Sequence, residues 1–166
     1  MTPLDSVAQF QLQERSKSGA RWFYWIAALS LVTSIISLAG SNWGFFISLG
    51  VTQVVDAVAN TVAGQAGVGF KIVALVFDFI AAGLFALIGY FAAKRYAWVF
   101  IAGMALYALD ALVFVVARHW LGLVFHAYAI YSIFGGYKAC TRLAELERET
   151  AFSGSNDSTA RRAETV

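Results

Sequence analysis

The chain has 166 residues, 60% of them hydrophobic and 13% charged, with a formal net charge of +2. A soluble domain usually carries about 25% charged residues, so the composition points to an integral membrane protein. The small net charge and the scattered basic residues exclude a nucleic-acid surface. The single cysteine, Cys140, excludes an internal disulfide and any Cys/His metal spacing.

Residues 1–21 are polar and mixed in charge, which predicts a loosely ordered tail with a short helix near 7–15. The first apolar run is 22–40, "WFYWIAALSLVTSIISLAG". It follows about twenty polar residues, exceeds a signal-peptide core in length and lacks a small-residue cleavage site, so it reads as a retained helix. Three more apolar runs follow at 70–93, 97–117 and 120–137. A spanning helix needs about 20 mostly apolar residues, and a lipid-embedded backbone must satisfy its own polar groups. The expectation is therefore an all-α integral membrane protein, an antiparallel four-helix transmembrane bundle spanning at 22–40, 70–93, 97–117 and 120–137.

The stretch 43–65 differs. Ser48, Thr52, Asp56 and Asn60 recur at every fourth position, with apolar residues between them. That is the period of an amphipathic helix, placed on the outer side between spans one and two. Charge supports leaving it out of the spans. With four spans, the positive-inside rule puts ten of the 12 Lys and Arg residues on the cytoplasmic side, and only Lys71 and Arg118 outside. A fifth span reverses the bias. Trp22, Trp25 and Trp98 then mark the inner interface, and Trp43 and Trp120 the outer one. Both termini are expected in the cytoplasm of a cell membrane, of the prokaryotic inner-membrane kind. Beyond Lys138 the sequence predicts a charged helical turn or two, and 153–166 reads as a disordered polar tail.

The informative residues are the ionisable ones inside the apolar runs. Asp78 lies seven residues inward from Lys71, Asp110 eight residues before Arg118, and His126 eight residues after it. At about 1.5 Å per residue all three sit roughly 10–12 Å below the outer surface. Asp56 lies on the same side, and Tyr107, Tyr128 and Tyr131 are close enough in sequence to join the layer. An ionised side chain at a helix centre costs about 2.5–3.5 kcal/mol on insertion scales. Such residues pair with one another, face the bundle interior or mark a pathway.

Two aspartates and a histidine suit a proton relay, and equally a divalent-metal site. They also suit plain interhelical hydrogen bonding, worth about 0.6 kcal/mol per contact. The candidate site residues are Asp78, Asp110, His126, Asp56, Tyr107 and Tyr128. No P-loop, HExxH or serine elbow is present. No catalytic residue and no cofactor is expected. The leading function is binding or relay of a proton, ion or small ligand. The alternative is a structural or assembly subunit. The expected partners are the lipid bilayer, and a second copy of the chain or another membrane subunit.

A cysteine placed at position 95 is expected to be labelled by an impermeant thiol reagent only from the cytoplasm. Labelling from outside overturns the four-span count.

Overall fold

The computed structural model describes residues 3–38, 68–116, 118 and 120–164. The amphipathic stretch 43–65, with Asp56, lies outside the described residues, as do Trp43 and His119. Among the described residues the chain is all-helical, without strands. The helices are α1 (Pro3–Leu38), α2 (Val68–Ala93), α3 (Ala97–Val116) and α4 (Trp120–Glu164). Among the described residues, three stretches are long and apolar enough to cross a membrane: Ser6–Ile36, Leu75–Ala93 and Ala97–Val115. The stretch 120–137 in α4 does not join them, because His126, Tyr128, Tyr131 and the Gly135–Gly136 pair dilute its apolar character.

The outer helices run further than the sequence suggests. In place of a loose tail, α1 is continuous from Pro3, where proline suits the first turn. The polar segment stays helical because its inward positions Ser16, Gly19 and Ala20 are buried in the bundle, with Gly19 set against α4. At the other end α4 continues to Glu164 through the segment expected to be disordered. Extending an existing helix costs much less than nucleating one.

Each helix turns one narrow seam inward. On α4 the buried positions are Gly122, His126, Ala129, Ile133, Gly136, Cys140 and Leu143, in alternating steps of four and three. The same alternation takes α1 through Ser16, Ala20, Phe23, Ala27, Ser30 and Ser34. On α2 it links Asp78, Ala82, Phe85, Gly89 and Ala92, and on α3 Phe100, Gly103, Tyr107, Asp110 and Phe114. A repeat of about 3.5 residues lets helices wrap around one another with interlocking side chains. Helix α1 packs extensively on α2 and on α4, and α3 packs on α4, while α2 and α3 meet much less.

Among the described residues these seams bury polar side chains within an apolar core, while large apolar side chains also face outward. The buried polar side chains are Ser16, Ser30, Ser34, Asp78, Asp110 and His126. The outward faces carry large apolar ones, including Ile35, Val73, Ile80, Leu109, Leu121 and Val124, each more than half exposed. So broad an apolar surface marks contact with lipid or another protein.

Two local features set the helix geometry. Gly19 of α1 and Gly136 of α4 bring their backbones into direct contact: a Cβ added at either would lie 2.6 Å from the other's Cα. Small residues permit such crossings. Between α2 and α3, Arg95 adopts a left-handed φ of 68°. Its N–H donates to Ala92 O at 2.9 Å, and Tyr96 N–H donates to Phe91 O at 3.4 Å. The Tyr96 and Phe91 rings pack edge to face at 6.0 Å. This is a complete Schellman cap with its apolar clasp, and it ends α2.

Replacing Gly136 by Ala forces α1 and α4 apart and is expected to lower stability by about 1–3 kcal/mol. A Cβ at Gly83 meets nothing within 4 Å, so Gly83→Ala is expected to leave stability unchanged or raise it. Thermal unfolding of the purified variants checks both.

Candidate functional site

The link between α3 and α4 folds Asp110 and His126 together. Both are buried, at 5% and 1% exposed. His126 Nε2 lies 2.9 Å from Asp110 Oδ2, and Nδ1 lies 2.8 Å from the carbonyl oxygen of Gly122, one turn earlier on α4. A carbonyl only accepts, so Nδ1 carries a hydrogen and donates it to Gly122.

That assignment fixes the chemistry of the other nitrogen. Two bare lone pairs do not sit at hydrogen-bond distance, so one proton lies between Nε2 and Oδ2. On the imidazole it gives an ion pair; on the carboxyl it gives two neutral groups hydrogen-bonded to each other. Net charge is zero in both arrangements. The geometry is that of a buried histidine–carboxyl hydrogen bond with one proton between its two heavy atoms.

Aromatic rings surround the imidazole. Tyr107, one turn before Asp110 on α3, stacks on it at 4.3 Å with 14° between planes. Phe114, one turn after Asp110, packs at 4.6 Å. Phe125 lies edge-on at 6.4 Å. Together these rings shield the imidazole from the outside of the bundle. Gly122 serves the site twice. Its carbonyl holds Nδ1, and its missing side chain makes room for the Phe114 ring, whose nearest atom would lie 2.3 Å from a Cβ there.

Of the residues expected from sequence, Tyr107 joins the pair. Asp78 is fully buried on the α2 seam, two turns from Phe85, whose ring meets Tyr107 edge to face at 6.0 Å. It shares the interior, but among the described residues no three of His, Cys, Asp and Glu gather into a metal-ligand set. Tyr128 is 58% exposed and packs edge-on against Trp22 of α1 at 5.4 Å, away from the pair. Tyr131 also faces outward, at 70% exposed. Phe114 and Gly122 escaped the sequence reading, although each lies four residues from Asp110 or His126 and so on the same helix face.

Cys140 is buried on α4, with its thiol donating to the Arg95 carbonyl oxygen at 3.3 Å. Burial pushes the thiol above its ordinary range, so it is a poor nucleophile.

Asp110→Asn retains a donor for Nε2 and is expected to keep the fold. Asp110→Ala leaves the imidazole without its partner and is expected to cost about 1–3 kcal/mol. Denaturation measurements on the two variants separate these outcomes, and nitrogen NMR of His126 reads the Nδ1–H directly.

No protein-family model matches this chain, and no curated protein and no solved structure matches it.

Proposed function

We propose that the protein is a small multi-pass protein of the cell membrane, an antiparallel four-helix transmembrane bundle with cytoplasmic termini, and that its buried polar interior binds or relays a proton. The observation that carries this reading is the one-proton pair between His126 Nε2 and Asp110 Oδ2, 2.9 Å apart on facing helices. A proton held in a buried site with two resting places is the minimal element of a relay. Asp78 supplies a further buried carboxyl on the neighbouring seam.

Several features support the membrane setting. The outward faces are broadly apolar, and the seams bury carboxyls, a histidine and serines among apolar residues. Along α1, Gly19 meets Gly136, while Trp22, three residues on, meets Tyr128 and Phe125, earlier in α4; that order of contacts suits antiparallel neighbours. Arg15, Lys94, Arg95 and Lys138 gather toward one end of such a bundle, as the positive-inside rule asks of a cytoplasmic face.

A second reading, a structural or assembly subunit, is favoured by a different observation. The clefts walled by Arg15, by Arg21 and by Arg118 are lined by other residues than Asp78, Asp110 and His126. In that reading the pair is interhelical glue and the exposed apolar faces receive another subunit.

Proteoliposomes enclosing a pH-sensitive dye separate the two. Under an imposed proton gradient the relay requires flux, and Asp110→Asn and Asp78→Asn are each expected to abolish it while the protein stays inserted and helical. Full flux in both folded variants overturns the relay. The structural reading expects instead a loss of stability or of a co-purifying partner.

A further inference from the structure

One face of the α1–α4 junction is unlike the rest of the surface. A cleft of about 410 Å³ opens beside the Gly19–Gly136 crossing, with Arg15, Ser18, Tyr131, Ser132 and Lys138 among its walls. A second, of about 390 Å³, continues it along α1 and is lined by Arg21, Trp25, Leu29 and Phe125. The two share Ser18 and Trp22. One end of this groove is thus cationic and hydroxylated, and the other, past Arg21, is aromatic and apolar along Trp25, Leu29 and Phe125.

Among the described residues the groove's cations, like Lys94, Arg118 and Arg148 elsewhere, lack the acidic partners that some other basic residues have. Lys17, Arg142 and Arg95 are engaged by Glu14, Glu145 and Glu147. Arg15, Arg21 and Lys138 have no acidic partner among the described residues, and no carboxylate lines either cleft. The Arg15 guanidinium reaches across to α4, its Nε and Nη2 each 3.7 Å from where a side chain on Gly135 would begin. The absent side chain there leaves the guanidinium lying open in the cleft. Lys138 Nζ sits over the Phe134 ring at 4.7 Å, beside the same opening.

We propose that this groove is a binding site for an anionic phospholipid. Arg15 and Lys138 hold the phosphate, Ser18 and Ser132 hydrogen-bond the headgroup, and an acyl chain follows Trp22 toward Leu29 and Phe125. The inference rests on the membrane reading above, because a lipid ligand requires the α1–α4 face to meet a bilayer. Charge complementarity selects the headgroup, since unpaired basic residues between helices at the cytoplasmic level favour anionic lipids. The apolar continuation selects a lipid over a soluble phosphate.

The test uses the full chain in nanodiscs of phosphatidylcholine with a minor fraction of phosphatidylglycerol. Spin-labelled phosphatidylglycerol and phosphatidylcholine report the relative affinity of the first lipid shell. The chain is expected to prefer the anionic lipid. Arg15→Gln and Lys138→Gln are each expected to lower that preference roughly fivefold, and the double variant roughly 25-fold. Arg142→Gln and Lys17→Gln remove paired charges outside the groove and are expected to change it little.

Equal losses from all four single variants indicate diffuse attraction and overturn the site. So does full displacement of the labelled lipid by inorganic phosphate at constant ionic strength, which assigns the site to a soluble anion. Extraction of the chain from native membranes by alkaline carbonate overturns the membrane reading itself, and this inference with it. Firm retention combined with no lipid preference overturns the inference alone.

Discussion

A polar side chain survives among apolar helices only where another helix covers it. That requirement orders this molecule. Asp78, Asp110, His126 and three serines occupy the inward seams, and each seam keeps its repeat so that these groups stay covered. The close crossing at Gly19 and Gly136 draws α1 onto α4. Without tight seams the buried carboxylates would meet lipid or water, and the charge-neutral pair on α3 and α4 would lose its setting.

Much of this was legible in the sequence, and for identifiable reasons. Asp110 and His126 stand eight residues either side of Arg118, and a tight link between antiparallel neighbours brings such positions level. Tyr107 was legible because a residue three before Asp110 shares its face. Tyr128 misled because nearness in sequence is not nearness on a helix: two residues from His126 is about 200° around the axis. The hydrophobic pattern could not locate the seams, since both faces of each helix are rich in apolar residues. Small and polar residues mark part of each seam, but buried Phe23, Phe85, Phe100, Phe114 and Ile133 look no different in sequence from lipophilic outward residues.

The helix limits were less legible, and the causes are again local. Residues 1–21 read by composition as a loose tail with only a short helix near 7–15, yet a few inward positions against α4 suffice to keep the helix continuous. At Arg95 the sequence offers no glycine, the residue that most often takes the left-handed position of a Schellman cap. The Phe91–Tyr96 clasp and the two cap hydrogen bonds hold an arginine there despite a steric cost of about 1–2 kcal/mol. The resulting turn directs the Arg95 carbonyl to Cys140 and its guanidinium to Glu147, so the α2–α3 link is fastened to α4 twice.

A proton relayed between His126 and Asp110 in a membrane, as proposed above, would have an electrical consequence. Its transfer shifts charge by less than the 2.9 Å between the two heavy atoms, under a tenth of a hydrocarbon layer about 30 Å thick. A transmembrane potential of 100 mV acting on that displacement contributes at most about 0.2 kcal/mol. Voltage therefore barely biases where the proton rests, and local chemistry around the imidazole decides it.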